Sequence, residues 1–250
     1  MTLAFDHGAA DPVVALTPTG DGWWDHLNRY SPGTVRRISV HVRAAIANEA
    51  ISAKVRELIY IGVDSVCTHL YPKGVRLHAV KALEAGATQA EVLELLQLAC
   101  AASARSYGMG TAVLAEEIDR AGIGRPVDDV DSDEVVDFKQ RFIAAESFWE
   151  PWMDLAMERA PRHFMAWLDM NYAIDEPRVL EPKVRSLISM ALSVCAPLSD
   201  EVAVRRHARL AIERGATPRE LYEAMQIASG LGPHAFSNAI PELQPLFDGE

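Results

Sequence analysis

Apolar positions recur at spacings of three and four along most of the chain, which is the pattern of helices that bury one face. One such set predicts a helix over residues 34–48 and consists of Val35, Ile38, Val42 and Ile46. A second helix, which Ser52 can cap, follows with Val55, Leu58, Ile59, Val63 and Val66 on one face. No stretch alternates in the way of strands joined by hairpin turns. The pattern therefore predicts an all-α protein.

Helix start and stop signals support this prediction. Pro72 suits the first turn of a third helix, and Gly86 suits its C-terminal cap. Thr88 and Glu91 have the spacing of a capping box, and Thr217 and Glu220 repeat it. Further helices are predicted over residues 106–121 and 134–160.

The second half of the chain repeats the first at a constant offset of 129 positions. The segment Lys-Val-Arg-x-Leu-Ile at 54–59 recurs at 183–188, and His78 recurs as His207. A repeat of this length indicates one structural unit used twice. We predict an N-terminal arm (1–21), helical repeat 1 (22–121), a linker (122–133) and helical repeat 2 (134–250).

Composition narrows the functional classes. The 250 residues carry a formal net charge of −11, which argues against a nucleic-acid or anionic-membrane surface. The three cysteines, Cys67, Cys100 and Cys195, are not related by the repeat and do not form a disulfide framework. The N-terminus lacks the basic and apolar regions of a signal peptide. We expect a cytoplasmic protein, with a small molecule as its partner.

The segment from Glu57 to His78 is the richest in reactive side chains. A carboxylate on one helix and an imidazole on the next can meet across their interface and transfer protons. We therefore take Glu57 and His78 as candidate catalytic residues. The alternatives are that Glu57 is a surface or ion-paired residue and that His78, which recurs as His207, packs or caps a helix in both halves.

Other side chains of this segment are candidates for substrate binding. A cation at Arg56 or Arg76 could hold a carboxylate, and Cys67 is expected to be a small buried residue rather than a nucleophile. Cys67, His69 and His78 could be imagined as metal ligands, but their spacing matches no compact site, so no metal is predicted. The candidate substrate-binding residues are Arg56, Cys67, His69, Tyr71, Arg76 and His207.

The pattern Lys-x-Arg-Glu-Leu-Ile, a loop, His, and then Ala-Leu-x-x-Gly-Ala-Thr-x-x-Glu-Val resembles the carboxymuconolactone decarboxylase and alkylhydroperoxidase D superfamily. The resemblance covers about residues 34–115 and 163–240. It implies an all-helical fold of two tandem repeats that assembles into trimers or hexamers, with sites in clefts between helices or subunits.

The peroxidase branch of this superfamily has a Glu, then Cys-x-x-Cys, then a His four residues on. Glu57 and His78 match the ends of that pattern, but Tyr71 and Gly74 stand at the two cysteine positions. A disulfide reductase needs a thiolate and a resolving thiol, so we expect no dithiol peroxidase activity.

In the decarboxylase branch a cysteine-free loop separates Arg-Ser-Leu-Val from the His, and residues 185–188 with His207 look like that pattern. That branch acts on a small dicarboxylic lactone without a metal or organic cofactor. The glutamate that often stands four residues before the His is Gly74 or Ala203 here. The resemblance thus implies a cofactor-independent lyase or isomerase for a small anionic lactone or aromatic ring-cleavage product.

Two other hypotheses stay open. A non-catalytic oligomeric relative could bind an aromatic ligand with Trp23, Trp24 and Tyr71 around its pocket. A thiol-dependent reductase could use Cys67 alone, although a single thiol cannot close an internal disulfide.

Overall fold

A computed structural model describes residues 22–47, 49–124, 130–195 and 199–248. The described residues form helices and no strands, which confirms the all-α prediction. The predicted arm, 1–21, and residues 125–129 of the predicted linker lie outside the described residues. The α-helices are α1 (Trp23–Tyr30), α2 (Pro32–Ile46), α3 (Ala53–Ser65), α4 (Pro72–Glu84), α5 (Gln89–Ala101), α6 (Ala104–Ala121), α7 (Ser132–Glu146), α8 (Pro151–Arg159), α9 (Pro161–Tyr172), α10 (Pro182–Val194), α11 (Glu201–Glu213), α12 (Pro218–Ala228) and α13 (His234–Asp248).

The tandem repeat of the sequence is also a repeat of helices. Helices α1–α6 recur in order as α8–α13, and the extra helix α7 lies between the two sets. The central helices α3 and α10 keep the offset of 129 at both ends, as do α4 and α11. Because α7 begins at Ser132, the last residues of the predicted linker are helical.

Local signals set several helix ends as predicted. The Ser52 side chain accepts a hydrogen bond from the backbone N–H of Val55 at the start of α3. Thr217 and Glu220 form the predicted capping box at the start of α12. Gly86 and Gly215 follow α4 and α11 with φ of 87° and 85°, a left-handed conformation that glycine adopts without strain.

The chain divides into two compact units that cut across the repeats. Unit 1 comprises residues 1–89 and 182–250, so its described part contains α1–α4 and α10–α13. Unit 2 comprises residues 90–181 and contains α6–α9 with nearly all of α5. The boundaries of the two sequence repeats stay a prediction.

In unit 1, α3 packs against α4 and α10, and α10 packs against α11 and α12. Both central helices are buried on most sides, and the fully buried side chains include Leu58, Ile59, Val63, Ile188 and Ala191. A separate hydrophobic cluster joins α1, α2 and α13 through Trp23, Trp24, Leu27, Ile38 and Ile240. The expectation that Trp23 and Trp24 line a pocket is thus corrected, since both indoles are buried as part of this core.

Unit 2 has an aromatic core of its own. Phe142 and Phe164 are fully buried, and Tyr107 stacks against Phe164 and Trp167. Across the described part of the chain, no helix is both long and apolar enough to cross a membrane.

Two repeat-related glutamates make the same backbone contact. In unit 1, Glu223 Oε2 accepts hydrogen bonds from the backbone N–H groups of Ala50 at 2.7 Å and Ile51 at 3.3 Å. In unit 2, Glu94 Oε2 accepts from Val179 at 2.8 Å and Leu180 at 2.9 Å. Each carboxylate therefore holds the segment that precedes the central helix of the other repeat.

Candidate active site

A buried acid–imidazole pair joins α3 to α4. Glu57 Oε2 lies 2.7 Å from His78 Nδ1, and the two residues are 3% and 2% exposed. Ser52 caps the start of α3 and Gly86 follows the end of α4, and the antiparallel packing of the two helices brings position 57 opposite position 78. The predicted meeting of these two side chains is confirmed, and the alternative of Glu57 as a surface residue is excluded.

Burial and charge act in opposite directions on this pair. Burial by itself raises the pKa of Glu57, but the hydrogen bond and charge of His78 and the charges of Arg56 and Lys81 outweigh it and hold this pKa below its ordinary value. Burial lowers the pKa of His78, and the opposing hydrogen bond with Glu57 does not fully restore it. Near neutral pH the pair is therefore a carboxylate beside a neutral imidazole.

The protonation state fixes the tautomer of His78. A carboxylate can only accept a hydrogen bond, so Nδ1–H of His78 is the donor to Glu57. The lone pair of His78 is then on Nε2. A carboxylate on Nδ1–H orients the ring and stabilises the imidazolium that forms when Nε2 takes a proton. The arrangement can thus work as a general base and then as a general acid.

Three neighbours complete this first cluster. The Tyr60 ring stacks on the His78 ring with centroids 4.4 Å apart, and it fixes the plane of the imidazole. Arg56 Nε donates a hydrogen bond to Glu57 Oε1 at 3.3 Å. Lys81 lies one helical turn after His78, is half-buried, and interacts electrostatically with Glu57. The two cations favour an anion near the pair.

A second polar cluster joins the end of α3, the connection from α3 to α4 and the start of α13. Asp64 follows Glu57 by seven residues, about 10 Å along α3. His69 Nε2 and His234 Nδ1 are 2.8 Å apart, and they lie 3.7 Å and 3.6 Å from Asp64 Oδ1. Asp64 is 1% exposed, and neither of its carboxylate oxygens has a hydrogen-bond partner among the described residues.

Burial dominates the protonation of the second cluster. It raises the pKa of Asp64 to about 8. It lowers the pKa of His69, and together with the charges of His69 and His78 it lowers that of His234 to about 3. Both imidazoles are therefore neutral near pH 7.

Tyr71 and Gly74 surround Asp64 at the positions where the peroxidase branch has its cysteines. Tyr71 N–H donates to the backbone carbonyl of Asp64 at 2.8 Å, and its hydroxyl donates to Ser237 Oγ at 2.8 Å. A Cβ at Gly74 would lie 2.0 Å from Asp64 Oδ2. The absence of a side chain at position 74 is thus what makes room for the Asp64 carboxylate.

Among its described residues, repeat 2 has no counterpart of the Glu57–His78 pair. Ser186 stands at the position of Glu57, and its hydroxyl donates to the carbonyl of Pro182 and accepts from Arg214. Burial, followed by the charges of Arg206, Arg185 and Arg214, holds the pKa of His207 well below its ordinary value. Three cations therefore act on His207, and Ser186 stands at the position where repeat 1 has its acid.

The predicted site residues thus separate into groups. Arg56 joins the first cluster, His69 and Tyr71 join the second, and His207 has its own neighbours. Cys67 and Arg76 are exposed, and the expectation that Cys67 is buried is wrong. Cys67 lies just beyond the end of α3, where the chain turns at the surface.

Sequence reasoning missed Asp64, Lys81 and His234. Helical spacing could have found the first two, because Asp64 shares a face of α3 with Glu57 and Lys81 follows His78 by one turn. No spacing links His234 to this segment, since 165 positions separate it from His69.

The comparisons with known proteins agree with this fold. The pattern of the carboxymuconolactone decarboxylase family matches residues 32–107 and 161–238, one match in each repeat. The chain belongs to the carboxymuconolactone decarboxylase family. It is also similar to a crystal structure from Burkholderia xenovorans LB400, provisionally described as a gamma-carboxymuconolactone decarboxylase subunit, with a TM-score of 0.85, 26% identity and 95% of each chain covered. No curated protein matches the chain significantly.

Proposed function

We propose that this family member is a lyase or isomerase without an organic cofactor, and that it acts on a small anionic lactone or aromatic ring-cleavage product. The buried hydrogen bond between Glu57 and His78 carries the proposal, because it holds a neutral imidazole ready for proton transfer. Family membership and the similarity to the Burkholderia protein support the reaction class.

The charges around the pair support an anionic substrate. Arg56 and Lys81 both interact with Glu57, so a substrate carboxylate that enters this region meets two cations. A guanidinium can bind a carboxylate through two parallel hydrogen bonds. We assign Arg56 to substrate binding on this ground, and Lys81 to the stabilisation of negative charge.

The chemistry of decarboxylation assigns the role of His78. Loss of CO2 breaks the bond between the substrate carbon and its carboxylate, and the electron pair moves into the conjugated carbonyl system. Nε2 of His78 first takes a proton from solvent, and the resulting imidazolium then delivers that proton to the substrate carbon, which returns His78 to its neutral form. Glu57 stabilises the imidazolium throughout. In an isomerisation, Nε2 would take a proton from one carbon and return it to another.

The experiment supplies the purified chain with 4-carboxymuconolactone and related lactone acids and follows CO2 release and substrate loss. We expect turnover by the natural chain and a kcat lower by about 10²–10⁴ in His78→Ala, the usual contribution of a general acid–base group. His41→Ala, at an exposed position on α2, serves as the matched control and should retain full activity.

Two results would contradict the proposal in different ways. Unchanged turnover in His78→Ala would remove the pair from the reaction. Binding of these acids without turnover by the natural chain would favour the non-catalytic ligand-binding relative instead.

A further inference from the structure

We propose that Asp64, His69 and His234 form a binding site for a divalent transition-metal ion of the Zn²⁺ type. Their ligand atoms, Oδ1 of Asp64, Nε2 of His69 and Nδ1 of His234, all lie within 4.8 Å of one another. This site departs from the expectation that the protein works without metal, and it does not depend on the proposed function.

The distances between the three atoms fit a metal site. The triangle has edges of 2.8, 3.6 and 3.7 Å. A point equidistant from its three corners lies about 2.0 Å from each, and Zn²⁺ binds nitrogen and carboxylate oxygen at about 2.0–2.2 Å. An ion could therefore enter with only small movements of these side chains.

The Asp64 carboxylate is the observation that points to a bound cation. The carboxyl group is 1% exposed and neither of its oxygens is hydrogen-bonded among the described residues, which is costly for a buried polar group whether or not it carries a proton. It faces two imidazole nitrogens, and a cation among the three groups would satisfy it. Without an ion the two imidazoles share one hydrogen bond, which leaves the Asp64 oxygens unsatisfied.

The composition of the cluster selects the class of ion. Two imidazoles and one carboxylate suit Zn²⁺ and the neighbouring first-row ions, whereas Ca²⁺ takes six to eight oxygen ligands. Three protein ligands leave a fourth position of a tetrahedral site for water or a substrate oxygen. Both imidazoles retain some exposure, with side chains 15% and 14% exposed, so the site is accessible.

A supporting shell holds these ligands in place. The Tyr71 ring packs against the His234 ring with centroids 4.2 Å apart, and the Tyr71 hydroxyl binds Ser237 one turn after His234. Gly74 leaves the space that the Asp64 carboxylate fills. Such outer contacts orient the ligands of protein metal sites.

The test is a metal titration of the full chain after treatment with a chelator. Zn²⁺ binding is measured by calorimetry and by elemental analysis, and Co²⁺ reports coordination geometry through its visible spectrum. We expect one ion per chain. Loss of an outer-shell partner costs 10–100-fold in affinity, so His69→Ala and Asp64→Asn should each weaken binding by at least about 100-fold.

Matched controls separate ligand loss from general damage. His41→Ala and His78→Ala should bind Zn²⁺ like the natural chain, so this readout is independent of catalysis. Gly74→Ala should weaken binding by displacing Asp64, whereas Gly110→Ala, where an added Cβ meets no atom within 4 Å, should not. Circular dichroism verifies that each variant folds. If His69→Ala does not fold, the near-isosteric Asp64→Asn still tests whether loss of a ligand weakens Zn²⁺ binding.

Either of two outcomes would overturn the site. The first is that the folded natural chain binds no stoichiometric Zn²⁺ or Co²⁺ after reloading, which would leave a metal-free hydrogen-bonded cluster. The second is that Asp64→Asn and His69→Ala bind the ion as tightly as the natural chain, which would place the ion at another site.

Discussion

Replacement of Glu57 by Gln tests the electrostatic core of the candidate active site. The Gln side-chain oxygen can still accept the hydrogen bond from His78 Nδ1, so the geometry is kept while the charge is removed. The carboxylate lies 2.7 Å from that nitrogen in a buried site and opposes the effect of burial on the pKa of His78. Glu57→Gln should therefore lower the pKa of His78 further.

The expected size of this change follows from the charge–charge distance. Two unit charges about 4 Å apart interact by about 4 kcal/mol at an effective dielectric constant of 20, and a close opposite charge shifts a pKa by about 1–3 units. We expect the pKa of His78 to fall by this amount, which corresponds to about 1.4–4 kcal/mol. The limb of a pH–activity profile that reports the titration of His78 should move to lower pH by the same amount.

Histidine titration by NMR measures this pKa without any substrate. Glu84→Gln, at an exposed position that ends α4, is the control and should leave the pKa of His78 unchanged. An unchanged or raised pKa of His78 in Glu57→Gln would refute the reasoning, because it would mean that the carboxylate does not stabilise the imidazolium.

Three further predictions concern the fold. Glu223→Gln and Glu94→Gln should each lower the free energy of unfolding by about 1–3 kcal/mol in urea titrations, because each removes the charge that accepts two backbone hydrogen bonds; unaltered midpoints would contradict this. The lowered pKa of His207 means that the unfolded chain binds more protons than the folded chain just below pH 6.5, so stability is lost as the pH falls through that range. His207→Gln should reduce this acid-side loss relative to the natural chain, and an identical pH dependence of unfolding in both would argue against a half-buried neutral imidazole at position 207. We also propose that three chains form a ring that imitates a hexamer of single repeats. Leu246 and Phe247 of α13 are 70% and 64% exposed, and both suit a subunit contact. A monomer at micromolar concentration in sedimentation experiments would exclude this assembly.

The first cluster was within reach of sequence reasoning because it joins two consecutive helices. Caps at Ser52 and Gly86 set the ends of α3 and α4, and a short connection makes such helices pack antiparallel. In an antiparallel pair of this length, Glu57 on α3 and His78 on α4 then stand at opposite positions. Cys67 was misjudged, because free cysteine is usually buried and nothing local showed that the chain turns outward just after α3.

The sequence by itself determined the helices and their duplication, because apolar spacing, capping residues and glycines act over a few neighbouring positions. It could not determine that His234 closes on Asp64 and His69, or that Glu94 and Glu223 each hold a segment of the other repeat. Those contacts join residues 85 to 173 positions apart. Only the packing of whole helices decides which distant side chains share a buried space, since no local preference encodes it.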